Sequence, residues 1–211
     1  NVIYLDRTEG ISSSELRAKD SNLKLGLIGN STLVAKYFRE SKFVNGAEVT
    51  AVSSSSTSAQ IKADNSLLLT NSYTDLLSSI DAVYIASHPT KHYNHVKQAL
   101  LAGKHVLCES PIALSEAECN ELYQLANSKN LILMDAIKTA YSTAYNRLLL
   151  LLNSGKIGQV LSVESTCTSL KNIKIDTTKK ATHYWNSICA WGPTAMLPIF
   201  HILGTHWIDI N

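Results

Sequence analysis

The sequence predicts an α/β protein built on a doubly wound parallel sheet. Short apolar strands alternate with helical stretches from Leu23 to Ile137, and that order places helices on both faces of a parallel sheet. The apolar runs stop at glycine, serine or acidic residues, the residue types found at strand ends beside a ligand crevice. After Ala140 the alternation gives way to a leucine-rich helix and a polar stretch. The expected organisation is therefore a short leading segment over residues 1–22, a complete first domain over 23–140 and only the start of a second over 141–211.

Each element has its own signal. LKLGLIG (23–29) is an apolar strand closed by glycine, and TLVAKYFRES (32–41) carries helical spacing. AEVTAVSSSS (47–56) is a second strand running into serines. SYTDLLSS (72–79) is a helical turn or two, and DAVYIAS (81–87) is a strand. HYNHVKQALLAG (92–103) is a helix with a glycine C-cap. KHVLCE (104–109) is a strand, and SEAECNELYQLANSKN (115–130) opens on a Ser115-x-x-Glu118 capping box. LILMDAI (131–137) is the next strand. Right-handed crossovers between such strands give the doubly wound topology. Beyond it, STAYNRLLLLLNSGKIG (142–158) reads as a helix closed by a glycine turn, QVLSVESTCTSL (159–170) as a period-two strand, and KNIKIDTTKKATHYW (171–185) as loop.

Composition narrows the class. Hydrophobic residues make up 45% and charged residues 17% of 211, a globular mix with enough chain to bury a core. The net charge of +2 comes without a long basic run, so nucleic acid is not an expected partner. No apolar run approaches the roughly 20 residues of a membrane span, so no membrane partner is expected. Cys108, Cys119, Cys167 and Cys189 are widely spaced and form no C-x-x-C pair. They read as reduced thiols of a cytoplasmic protein. No metal site is expected: His88, His92 and His95 cluster without an acidic or cysteine partner at ligand spacing.

The chemistry should gather at the strand ends, Gly29–Thr32, Ser53–Ser56, Ser87–His92, Glu109–Pro111 and Asp135–Thr139. At HVLCESPIAL (105–114) an apolar strand breaks at Glu109-Ser110-Pro111, where proline ends pairing. Lys138 follows the last strand. A lysine beside a cleft can serve as acid, base or phosphate contact; a solvated surface lysine is the equal alternative.

Taken together, KLGLIGNSTLVAKYF, DAVYIASHPTKHYNHVKQALLAGKHVLCESPIAL, LMDAIKTAYSTAYNRLLLLLNSGKIGQV and LGTHWIDI resemble the glucose–fructose oxidoreductase / inositol dehydrogenase / MocA family. The resemblance implies a Rossmann domain followed by the start of an α+β open-sheet domain, NAD or NADP as cofactor, hydride transfer at a sugar or polyol carbon, and a homo-oligomer. Carried over by position, the cofactor contacts are Gly29, Asn30, Ser31, Thr32, Ser53, Ser54, Ser87, His88, His92 and Glu109. The catalytic candidates are Ser110, Lys138 and His206. The departures fall where chemistry is concentrated. Ser110 stands where the family turn carries the lysine of Glu-Lys-Pro. In the run Ile202-Leu203-Gly204-Thr205-His206 the family's histidine is kept and its aspartate lost. Ser31 and Val34 occupy the second and third glycine positions of the phosphate loop, narrowing the approach to a pyrophosphate without abolishing it. Serines 53–56 replace the acidic residue that marks NAD, so NADP is not repelled.

The first residues carry a second resemblance. Arg7-Thr8-Glu9-Gly10-Ile11-Ser12-Ser13 is similar to the closing motif of glycerol-3-phosphate-type cytidylyltransferases, in which a turn and helix start hold the CTP phosphates. A capped helix on a tail is the plainer alternative. The two resemblances imply an NAD(P)-dependent oxidoreductase acting on a sugar or polyol, phosphorylated and CDP-linked forms included, within a fusion to a cytidylyltransferase. The competing expectation is a catalytically silent nucleotide-binding or assembly module attached to the transferase.

Overall fold

The computed structural model describes residues 22–29, 31–53, 59–168 and 187–206. Its strands are β1 (Leu23–Gly29), β2 (Ala47–Ser53), β3 (Leu68–Leu69), β4 (Ala82–Ala86), β5 (His105–Cys108) and β6 (Leu133–Asp135). They form one parallel sheet in the order β3-β2-β1-β4-β5-β6. That is the doubly wound order, with its reversal of direction at β1 and β4. The chain divides into two compact units, Asn1–Ala86 and Ser87–Asn211.

In the first unit, β1 lies between β2 and β4, with Leu25 opposite Ala82 and Gly29 opposite Ala86. Helices α1 (Ser31–Ser41), the four-residue α2 (Ala59–Lys62) and α3 (Tyr73–Ser78) accompany these strands. Leu27, Ala51, Val83 and Ile85 are buried from the sheet, and Val34, Phe38, Ile61 and Leu76 from the helices. The burial is continuous along β4, as expected of a strand covered on both faces. The start of the sheet is clamped by Asp81, whose Oδ2 accepts from the Lys24 amide at 2.9 Å while its own amide donates to Lys24 O at 2.8 Å.

Gly26 explains how closely α3 packs. A Cβ at this position would stand 2.6 Å from Ile80 Cδ1 and 2.8 Å from Leu76 Cδ2. Both side chains are buried, so they have little room to give way.

In the second unit, β5 pairs with β6 so that Val106 faces Leu133 and Cys108 faces Asp135. Helix α4 (His92–Leu101) buries Val96, Ala99 and Leu100, and α5 (Glu116–Ser128) buries Leu122 and Ala126. On their exposed side Glu121 accepts from Lys97 Nζ at 2.6 Å and from Tyr93 OH at 2.7 Å. The expected caps form. Ser115 Oγ accepts from the Glu118 amide at 3.3 Å, and Gly103 follows α4 with φ +76°.

Beyond β6 lie a 3₁₀ turn (Lys138–Tyr141), α6 (Thr143–Asn153) and α7 (Ser187–Leu203). Tyr145 OH and His201 Nδ1 meet at 3.1 Å. The strand expected over 159–170 does not form within the described residues 159–168. A period-two segment becomes a strand only when a neighbour supplies hydrogen bonds, and no pairing to it occurs among the described residues. Leu161 is accordingly exposed.

Gly26→Val should therefore cost stability although valine favours strands. Two further methyl groups forced against Ile80 and Leu76 predict a loss of about 1–3 kcal/mol. Urea unfolding measures it, with Gly26→Ala expected to fall between the variant and the parent.

Candidate active site

At the end of β1, Gly29 adopts φ 131°, a conformation L side chains rarely take. The chain enters α1 two residues later, at Ser31, and the first turn of that helix contains no acidic residue. The positive end of a helix dipole favours an anion, and a first turn without a carboxylate is compatible with a phosphate-bearing dinucleotide there. Thr32 is exposed beside the turn. Ser53 closes β2 and is buried. Asn30 and Ser54 lie outside the described residues, as does the Arg7–Ser13 segment.

The second unit assembles a polar cluster around His92. Its ring is fully buried, with Nδ1 2.7 Å from Pro111 O and Nε2 2.9 Å from Ser87 O. Both partners are carbonyls and only accept, whereas a neutral imidazole has one N–H to donate. Burial pushes the His92 pKa below its ordinary 6.5, against the two carbonyls that favour the cation. Desolvation is the larger effect, so at neutral pH one contact is a donated bond and the other a close dipolar contact. Ser87 Oγ also meets His95 Nδ1 at 2.9 Å. His88 caps the following turn, its Nδ1 2.9 Å from Thr90 Oγ1.

Next to this, β5 and β6 end side by side. The Ala136 amide donates to Cys108 O at 2.8 Å, which draws Asp135 alongside the Glu109-Ser110-Pro111 turn. Ser110 Oγ and Asp135 Oδ1 are both buried and neither has a hydrogen-bond partner. Ser110 lies near enough to draw the Asp135 pKa down, yet outside hydrogen-bond geometry. Burial dominates. It carries the carboxyl from 3.8 up to about 6, against the Ser110 hydroxyl and the Ile137 amide and with some help from Glu109. The Tyr141 hydroxyl donates to the Asp135 carbonyl at 2.8 Å. Burial raises the Cys108 thiol as well, with the charges of Asp135 and Glu109 adding to it.

Of the residues singled out by sequence, Ser87, His92, Glu109 and Ser110 gather here. Lys138 starts the 3₁₀ turn and is exposed, and His206 is exposed beyond α7. Neither is among the groups acting on Asp135 or His92. Asp135 itself was missed. The available signal was a lone carboxylate ending the apolar run Leu131-Ile132-Leu133-Met134. Among the described residues no group of three His, Cys, Asp or Glu side chains could hold a metal ion. No described helix is long and apolar enough to cross a membrane.

Residues 23–136 match the oxidoreductase family with an NAD-binding Rossmann fold named for glucose–fructose oxidoreductase, inositol dehydrogenase and MocA. The chain belongs to this family. Within it, the chain is 35% identical over 91 residues to D-xylose 1-dehydrogenase (NADP⁺) of Hypocrea jecorina, covering 42% of this chain and 23% of that protein. The crystal structure of apo scyllo-inositol dehydrogenase from Lactobacillus casei superposes with a TM-score of 0.60 at 25% identity, over 66% of this chain and 44% of that one. An oxidoreductase fold from Bacillus subtilis, yvaA, reaches a TM-score of 0.73 over 88% of this chain and 53% of that one, at 16% identity. The chain spans 23% to 51% of the length of the curated relatives it matches. The family's cofactor is thus NAD or NADP, and its sheet is the one built here.

The raised Asp135 pKa has a signed consequence for this family member. The folded state holds the Asp135 proton more tightly than the unfolded chain does. Its stabilisation is complete below the ordinary 3.8 and is lost as pH rises through about 6. Asp135→Asn should therefore melt higher than the parent at pH 7.5, by about 1–2 kcal/mol after allowance for partial exposure. The difference should close at pH 4. Thermal unfolding at the two pH values checks it, and a variant less stable at pH 7.5 than at pH 4 relative to the parent contradicts it.

Proposed function

We propose that this chain carries the cofactor-binding part of an NAD(P)-dependent oxidoreductase that oxidises a hydroxyl of a sugar or polyol. The observation that carries the reading is the family match over residues 23–136, and the Gly29 turn, with its φ of 131° and the acid-free helix start after it, supports a dinucleotide site at that strand end. In the first unit, Gly29 to Thr32 hold the pyrophosphate and Ser53 and Ser54 the adenosine ribose. In the second, Ser87, His88 and Glu109 make the remaining cofactor contacts and Ser110 faces substrate, whereas His92, expected as a contact, is fully buried with both ring nitrogens against backbone carbonyls and acts only by holding the turns. The cofactor supplies hydride acceptance when bound. Similarity to a D-xylose dehydrogenase and an inositol dehydrogenase supports the substrate class. Lys138 and His206 remain proton-transfer candidates only as solvent-side groups, since both are exposed. Three free cysteines, Cys108, Cys119 and Cys167, support a cytoplasmic setting.

Fluorescence titration with NADH and NADPH tests the reading. Both should bind, and Ser31→Gly should tighten binding by removing the β-carbon beside the pyrophosphate. A bulky residue at Ser31 with undiminished affinity would show that the pyrophosphate lies elsewhere.

Ser110 in place of lysine favours a second reading, a silent nucleotide-binding module. It is distinguished by cofactor binding without turnover of any sugar or polyol. The further proposal of a fusion to a cytidylyltransferase rests on Arg7-Thr8-Glu9-Gly10-Ile11-Ser12-Ser13 alone. A chain extended at its amino end should bind CTP, and one that does not would sink the fusion.

A further inference from the structure

We propose that Asp135 is the proton acceptor of this site and acts through Ser110, the two side chains forming a relay at the adjoining ends of β5 and β6. The inference rests on the oxidoreductase reading above and supplies its missing proton step.

The geometry is specific. Ser110 Oγ and Asp135 Oδ1 are both buried and without a hydrogen-bond partner, and the Ser110 side chain lies close enough to act on the Asp135 carboxyl. Native proteins rarely leave buried polar atoms unpaired, and a catalytic role is one of the explanations such atoms have. The strand register fixes the arrangement, because Asp135 stands opposite Cys108 and the Glu109-Ser110 turn follows directly. The charged and titratable groups acting on the carboxyl or acted on by it are Glu109 and Cys108 on the β5 side, Cys119 and Tyr123 on α5, and Tyr141 in the following turn. None of them is a cation, so nothing among them holds Asp135 permanently ionised. With a pKa of about 6 the carboxyl is largely ionised at neutral pH and still basic enough to take a proton.

Serine cannot do this work alone, since its hydroxyl has no reason to ionise near pH 7. Backed by a carboxylate, it can pass a proton on. In the oxidation direction the substrate O–H proton moves to Ser110 Oγ while Ser110 gives its own proton to Asp135 Oδ1. A bound oxidised nicotinamide would supply the hydride acceptor, so that the carbinol C–H pair would leave as hydride and the C–O bond would become a carbonyl. Ser110 ends unchanged and Asp135 ends protonated. Ser110 as a residue is only half-buried, and its hydroxyl has three staggered χ1 wells between which to turn.

Two measurements on the full chain test the relay. The first is a ¹³C NMR titration of labelled aspartate carboxyls, with Asp135 assigned from Asp135→Asn. The Asp135 resonance should titrate at about 6, and Ser110→Ala should move it higher by removing the hydroxyl that favours the charged form. A midpoint at the ordinary 3.8, or one indifferent to Ser110→Ala, overturns the relay. The second is turnover of a panel of polyols and sugars with NAD⁺ and NADP⁺ across pH 5–9. In the parent, kcat/KM should rise through pH ~6. Asp135→Asn should lower it by about 10²–10⁴-fold and flatten that rise, with NADH and NADPH affinity unchanged. Asp135→Glu should restore the pH-dependent limb. Asp135→Asn that keeps the parent's rate and profile overturns the relay and leaves the oxidoreductase standing. So does a parent that binds cofactor yet oxidises nothing, which leaves the silent module. A parent that binds neither NADH nor NADPH removes the oxidoreductase reading and the relay with it.

Discussion

Two backbone carbonyls, those of Ser87 and Pro111, converge on the buried ring of His92, and the polar cluster of the second unit depends on that convergence. Ser87 follows β4 and Pro111 follows β5, so one side chain at the start of α4 ties the turns after two strands. The imidazole is the right size to span them and has a nitrogen on each side. Its burial excludes water from both carbonyls, which strengthens the one donated hydrogen bond. Without the tie, the Glu109-Ser110-Pro111 turn would be free to leave Asp135, and the electrostatics of that carboxyl would revert toward those of an exposed group.

The cluster is built from acceptors and weak acids rather than from cations. Glu109, Cys108, Cys119, Tyr123 and Tyr141 each interact with Asp135, and burial pushes the thiols and phenols among them toward their neutral forms. A lysine in the turn would place a permanent charge there and hold Asp135 ionised. A serine leaves the carboxyl's proton affinity to be set by burial, which is why it titrates near neutrality instead of well below it. With serine in the turn, the ionisable group there is the carboxyl at the end of the adjoining strand.

The first unit shows the other demand that dinucleotide sites make, close approach of backbone. Gly26 brings Leu76 and Ile80 against β1, and Gly29 turns the chain into α1 with a φ that side chains resist. One glycine serves packing and the other serves the turn. The exposed leucines of α6, Leu148, Leu150 and Leu151, show the contrasting case of an apolar face that the described residues leave open.

Much of this was legible in the sequence, because strand and helix periods, caps and breakers are local. Ser115 with Glu118, Gly103 after α4, Gly29 after β1 and the break at Ser110-Pro111 all act where the chain places them, through bonds to residues a few positions away. The family resemblance likewise lay in contiguous runs. The strand expected over 159–170 failed for the opposite reason, since a strand exists only by pairing with another and no local pattern supplies the partner. Asp135 was invisible in the same way. In sequence it is one carboxylate at a strand end, 25 positions from Ser110. Only the parallel register of β5 and β6 brings the two strand ends together, and it is chiefly burial there that moves the carboxyl's pKa to about 6.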